Sequence, residues 1–155
     1  MANKKLLIIG HVPSMNTQVL RDAVVRGAMH VDITDVDILT MSPFEAQPDD
    51  VLTSDGIILG TTENLGYMSG ALKDFFDRCY YPVLEEKQGL PVSVYIRAGF
   101  DGTGTKRAIE TILTGLRWKL VQPPLICQGA WDEKFITNCE EFGMTMAAGL
   151  DAGIY

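Results

Sequence analysis

Three short stretches combine polar side chains and glycines in patterns suited to ligand binding, and each follows an apolar run. The first is Gly10-His11-Val12-Pro13-Ser14-Met15-Asn16-Thr17. Ser14, Asn16 and Thr17 place side-chain donors at the start of a predicted helix, where the first backbone N–H groups have no intrahelical acceptor. Such a terminus binds an anion without a lysine. It is not a P-loop, because the glycine and lysine of G-x-x-x-x-G-K-S/T are absent. A plain helix cap by Ser14 or Asn16 is the simpler alternative. The second stretch runs from Gly60 to Ser69 and holds Thr61, Thr62, Glu63, Asn64, Gly66 and Tyr67. The third is Ala98-Gly99-Phe100-Asp101-Gly102-Thr103-Gly104. Its glycines permit close backbone approach. Asp101 would repel a phosphate dianion, so this loop is expected to meet an uncharged part of a ligand, or to be a simple Asp-Gly turn.

Other chemistries find no support. Gly66-Tyr67-Met68-Ser69-Gly70 lacks the spacing of a nucleophile elbow. Cys79, Cys127 and Cys139 form no C-x-x-C pair and read as core thiols. His11 is either a ligand contact or polar filler, and His30 reads as a helix C-terminal cap. A receiver domain would need acidic residues where Gly10-His11 and Gly60-Thr61 stand. No catalytic residue and no metal site are assigned.

The elements that must position these loops follow from hydrophobic periodicity. Lys4 to Ile9 and Gly56 to Gly60 are continuous apolar runs, the mark of strands buried on both faces. Thr17 to Met29 is a predicted helix. His30 to Asp37 alternates and reads as an edge strand with one wet face. Leu39 to Thr53 carries Pro43 and Pro48 and should form short helical turns. In Ser69 to Tyr81, Leu72, Phe75, Phe76, Cys79 and Tyr80 fall on one helical stripe, with Ser69 as N-cap and Pro82 as the stop. Glu85 to Leu90 is a polar linker. Val92 to Ala98 is a fourth strand, Thr105 to Trp118 a helix, Leu120 to Cys127 an edge strand interrupted by Pro123-Pro124, and Glu133 to Leu150 the last helix. Trp118 and Trp131 read as packing residues. Five strands alternating with helices predict an α/β three-layer sandwich with a parallel sheet. The order 2-1-3-4-5 fits best, with its switch point between strands one and three.

The chain of 155 residues reads as one domain over 1–155. With 46% hydrophobic and 21% charged residues it is not a disordered chain. A net charge of -7 argues against nucleic acid and against an anionic membrane surface. It suits solubility or docking to basic redox partners. Lys4-Lys5 before an apolar run has the outline of a signal peptide. The run ends at Gly10-His11, so no signal peptide and no membrane span are expected, and the location expected is cytoplasmic.

The segment GTTENLGYMSGALKDFFDR resembles the second flavin-binding loop of the flavodoxin-like NAD(P)H-dependent FMN reductases and the related quinone-reductase flavodoxins. Gly60, Thr61, Gly66, Met68, Ser69, Gly70, Leu72, Lys73, Phe75, Asp77 and Arg78 match that pattern. Thr62-Glu63-Asn64 departs from it, since the family more often has proline and a neutral residue there. The resemblance implies FMN as cofactor, with Ser14, Met15, Asn16 and Thr17 at its phosphate. It places Thr61, Thr62, Glu63, Asn64, Gly66 and Tyr67 along the isoalloxazine ring. It places Ala98, Gly99, Phe100, Asp101 and Gly102 at the pyrimidine edge, with loop N–H groups toward the ring oxygens. Glu63 would either lower the flavin potential or point to solvent. Lys73, Asp74, Asp77 and Arg78 form a wet helix face or a subunit contact. The implied activity is electron transfer from NAD(P)H through FMN to a small-molecule acceptor such as a quinone, an azo compound or a flavin. The implied assembly is a homo-oligomer, a dimer or tetramer. A flavodoxin-like electron carrier is the alternative. True flavodoxins usually stack Trp and Tyr on the ring, whereas only Tyr67 and Phe100 are available here.

Overall fold

Leu6, Leu7, Ile8 and Ile9 are all completely buried or nearly so, which only a strand covered on both faces can achieve. The computed structural model, described over residues 2–155, places this strand, β1 (Lys4–Gly10), inside a seven-stranded sheet. Its parallel neighbours are β2 (Val36–Met41) and β3 (Gly56–Asn64). A short β4 (Tyr67–Met68) returns antiparallel on β3. β5 (Pro91–Ala98) pairs parallel with β3, and its free edge is shared by β6 (Lys119–Leu120) and β7 (Leu125–Gln128). The path is β2-β1-β3-β5-β6. With β4 as a hairpin arm, and β6 and β7 as two halves of one strand broken at Pro123-Pro124, this is the flavodoxin-like order.

Helices cover both faces. α1 (Met15–Ala28) and α5 (Lys134–Asp151) pack on one, around Leu20, Val24, Ile58, Tyr95, Phe142 and Met146. α2 (Pro48–Leu52), α3 (Gly70–Val83) and α4 (Thr103–Leu116) pack on the other, around Leu59, Leu72, Phe75, Val94 and Ile109. The backbones of α1 and α5 touch where Gly27 faces Glu140 O and Gly143 faces Val24 O. Among the described residues no helix is long and apolar enough to cross a membrane.

Several boundaries differ from the sequence reading. The second strand is Val36–Met41, not His30 to Asp37. Val31 is exposed, and the chain there turns on itself through the hydrogen bond from Ile33 N–H to His30 O. The edge position holds, because Val36 and Ile38 still pack inward while Leu39 is largely exposed. Leu39 to Thr53 supplies the rest of that strand, a turn, and the single helix α2. α1 begins at Met15 and α4 at Thr103, each two residues early, and α4 ends at Leu116 with Arg117 left-handed, leaving Trp118 beyond it and buried. α3 runs one residue past Pro82. A proline in the last turn removes only one terminal backbone bond, and the turn still closes from Leu84 N–H to Tyr80 O. His30 lies just past the C-cap residue Met29, and its Nδ1 accepts from Asp32 N–H.

Candidate functional site

β1, β3 and β5 are adjacent and parallel, so their carboxyl ends emerge side by side. The strand order switches direction between β1 and β3, the place where open α/β sheets take ligands in a crevice outside the carboxyl ends of the strands. All three sequence-predicted loops leave the sheet here.

Loop one is a helix start with a reciprocal cap. Ser14 Oγ accepts from Thr17 N–H at 3.2 Å, and Thr17 Oγ1 accepts from Ser14 N–H at 3.0 Å. Thr17 is buried by this arrangement, whereas Ser14, Met15 and Asn16 are exposed, Met15 at 82%. The N–H groups of Met15 and Asn16 point out of the helix end, where the macrodipole is positive. Thr17 therefore secures the cap, and Ser14, Asn16 and the two free-pointing amides are the donors left open at this helix end. The cap leaves the amides of Met15 and Asn16 open. His11 is held by its backbone, N–H to Gly60 O at 3.0 Å, and partial burial lowers its imidazole pKa.

The second loop is a hairpin and not an open loop. β3 continues to Asn64, turns through Leu65 and Gly66 at φ 54° and 75°, and returns as β4. Two residues at positive φ are what a tight hairpin turn with the sheet's own twist requires. Thr61 is buried and does not face the crevice: its Oγ1 accepts from Ser69 N–H and donates to Thr62 O, both at 3.0 Å. Thr62 Oγ1 donates to Asn64 Oδ1 at 2.9 Å, so these two side chains hold each other. Tyr67 is 41% exposed. Gly66 O rests on Gly104 at the start of α4, leaving no room for a Cβ at that position.

The third loop corrects the expectation that its amides face a ligand. Phe100 N–H donates to Glu63 Oε1 and Gly102 N–H to Glu63 Oε2, each at 2.9 Å. Glu63 points neither at the crevice nor to solvent but across to this loop. Asp101 Oδ1 accepts from Thr103 N–H at 3.0 Å and from its hydroxyl at 2.8 Å, and these bonds lower the Asp101 pKa. The Phe100 ring, 80% exposed, is what the loop presents.

Two residues escaped the sequence reading. Tyr95 on β5 is buried, and its ring lies under Gly10 and Gly60, where any Cβ would collide with it. The signal was relational: a glycine on each of two neighbouring strands at the same register, Gly10 opposite Gly60 and Gly60 opposite Tyr95. The Tyr95 hydroxyl is buried with no hydrogen-bond partner among the described residues, and burial raises its pKa. An unsatisfied buried hydroxyl costs about 1–3 kcal/mol. Tyr95→Phe is thus expected to raise the melting temperature by a few degrees; a lower value in thermal denaturation would show that the hydroxyl is bonded after all. Arg97 is the second. Its Nη1 donates to Ala98 O at 2.9 Å and Cys127 O at 3.0 Å, and its guanidinium lies 5.0 Å from the Phe135 ring centroid. It braces the strand end from which loop three departs.

Residues read as a wet face of α3 divide. Lys73 pairs with Asp77 at the surface. Arg78 instead pins the segment before α2, donating to Ala46 O at 2.7 Å and Pro43 O at 2.6 Å while Asp74 holds its Nε at 2.8 Å. Cys79, Cys127 and Cys139 are free and buried, and burial pushes the Cys79 thiol up to about 11.

The donor set fits a phosphorylated, planar cofactor. One end offers helix-terminal amides and hydroxyls, and the other offers the exposed rings of Tyr67 and Phe100. Comparison with known proteins agrees with this geometry. Residues 6–131 match the family model described as NADPH-dependent FMN reductase. A flavodoxin of Aquifex aeolicus (strain VF5) is 31% identical over 112 residues, which is 72% of this chain and 60% of that protein, so the match spans about three fifths of the relative's length. Among solved structures, a flavodoxin from the domain Archaea superposes with a TM-score of 0.77 at 18% identity, covering 94% of this chain and 98% of that one. The flavodoxin, WrbA-like protein from Agrobacterium tumefaciens gives 0.75 at 15% identity, covering 97% and 99%. At such identities the structures establish the fold, while the match over residues 6–131 establishes descent: the chain belongs to the NADPH-dependent FMN reductase family.

Proposed function

We propose that the chain is an FMN-binding oxidoreductase that takes electrons from NAD(P)H and passes them to a small acceptor such as a quinone or a flavin. The observation that carries this reading is the capped but open N-terminus of α1 beside the β1–β3 switch point, flanked by the hairpin and loop three. Bound FMN supplies the hydride and electron transfer. The protein's part is to hold the phosphate at Ser14, Asn16 and the amides of Met15 and Asn16. Tyr67 and Phe100 would border the ring, and chemistry carried by the flavin needs no general acid or base from the protein. Family membership and the flavodoxin relative both support FMN. NADPH as donor is supported by the family description.

The test is direct. Purified protein is mixed with FMN, freed of excess by gel filtration, and its visible spectrum recorded. A retained flavin band is expected, followed by NADPH oxidation when a quinone is added. A colourless protein would sink the reading. The flavodoxin relative and the acidic net charge of -7 favour a second reading, an electron carrier that docks on basic partners. A protein that retains FMN yet leaves NADPH and NADH unoxidised would establish it. We further propose a cytoplasmic homo-oligomer. The three unpaired buried thiols support a reducing compartment, and sedimentation at two concentrations tests the assembly.

A further inference from the structure

The backbone ladder between β3 and β5 ends at the pair Thr62 and Arg97. Beyond it the strands diverge, β3 into the hairpin and β5 into loop three. Glu63 is the first residue past the ladder, and its carboxylate spans the gap as an internal anion. It takes two alternate loop amides, Phe100 and Gly102, at 2.9 Å each. Gly102 has φ 70°, the conformation that turns its N–H inward. A Cβ there would lie 2.9 Å from Ile126 Cγ2. The hairpin is docked a second time through Gly66 O on Gly104. Loop two and loop three therefore form one body, joined at Glu63.

This has a chemical consequence. Phe100, Gly102 and Thr103 donate to Glu63 or Asp101, so those three N–H groups are committed within the protein. Donors at the acceptor edge of a flavin favour its anionic reduced form, because they meet charge that develops on reduction. Here the two Glu63-bound donors are withheld, and a carboxylate stands behind the loop in their place. We infer that Glu63 is a positioning residue that clasps Phe100 and Gly102, fixing Phe100 as a wall of the crevice and withholding both donors from the flavin, so that reduced FMN is bound less tightly than oxidised FMN. The inference rests on the FMN reading for its second half only; the clasp itself belongs to the protein without cofactor.

The experiment separates the two halves. Amide hydrogen exchange is followed by NMR on the cofactor-free wild type and on Glu63→Gln and Glu63→Ala. The amides of Phe100 and Gly102 should both exchange at least about tenfold faster in Glu63→Ala, and at least one of them in Glu63→Gln, while Thr103, held by Asp101, keeps its rate. Unchanged protection at 100 and 102 overturns the clasp. The near-isosteric Glu63→Gln serves if Glu63→Ala fails to fold, because one amide oxygen accepts a single N–H and its NH2 opposes the other. The midpoint potential of bound FMN is then measured. Glu63→Gln should tighten reduced relative to oxidised FMN about tenfold, a rise of about 30 mV for a two-electron couple. Faster exchange with an unmoved potential overturns the withholding role and leaves a structural brace. Wild-type protein that retains no FMN overturns the flavin reading, and with it the withholding role, before any variant is loaded.

Discussion

Gly143→Ala is expected to lower the melting temperature by about 6–12 °C, and Gly27→Ala by a similar amount. The two glycines sit at the crossing of α1 and α5, where each helix presses on the other's backbone. A Cβ at Gly143 would overlap Val24 O, and one at Gly27 would overlap Glu140 O. Neither obstacle is the end of a flexible side chain, so the helices must separate. Separation strips contacts from the packed layer of Leu20, Val24, Phe142 and Met146 on both sides of the crossing. Overpacking of this kind costs about 1–3 kcal/mol and more when backbone must move. A loss of about 3 kcal/mol in a domain of this size corresponds to the shift stated. Gly70→Ala is the control: it lies at the start of α3 with open space around its missing Cβ, and should leave the melting temperature unchanged or slightly higher. Equal melting temperatures for Gly143→Ala and Gly70→Ala would refute the close crossing. The effect also reaches the crevice. α1 carries the open amides proposed to meet the phosphate at its first turn, so a displaced α1 should weaken FMN binding as well as stability.

The elements that position the crevice were legible because single residues or short runs declare them. Leu6 to Ile9 and Ile57 to Leu59 have no polar alternative, and the stripe of Leu72, Phe75, Phe76 and Cys79 has one helical solution. Ser69 and Ser14 announce two helix starts, and the cap bonds are formed at both. What stayed hidden depends on pairs far apart in sequence. Val31 and Ile33 alternate as a strand would, yet the ladder partners of Lys4 and Lys5 are Val36 and Asp37, which only the register with β1 decides. Thr61 to Asn64 looks like loop because it is small and polar, but Glu63 and Asn64 find partners in Met68 and Tyr67 and become a hairpin. The clasp of Glu63 on Phe100 and Gly102 spans 37 and 39 residues. Nothing in a carboxylate's neighbours along the chain says which amides it will reach. Tyr95 under two glycines is the same kind of fact.

Ser14→Asp is expected to weaken FMN binding about 100-fold while leaving the fold as stable as before. Aspartate is as good an N-cap as serine, and a negative charge at a helix N-terminus is favourable by about 0.3–1 kcal/mol. The backbone half of the cap, Ser14 N–H to Thr17 Oγ1, does not involve the side chain that changes. Stability therefore stays level or rises. Binding behaves oppositely, because the added carboxylate stands where a phosphate dianion must approach. Two unit charges about 4 Å apart repel by roughly 1 kcal/mol in water and about 4 kcal/mol at the dielectric of a protein surface, and about 2.8 kcal/mol is a factor of about 100. Riboflavin, which has the ring but no phosphate, should bind the variant and the wild type alike, and added salt should recover part of the lost FMN affinity. Fluorescence titration with the two ligands reads all of this. If FMN affinity is unchanged, the phosphate does not lie at α1. If FMN and riboflavin weaken together, the substitution has disturbed the crevice and not the charge. Loss of FMN alone, at an unchanged melting temperature, distinguishes an anion site from a simple cap.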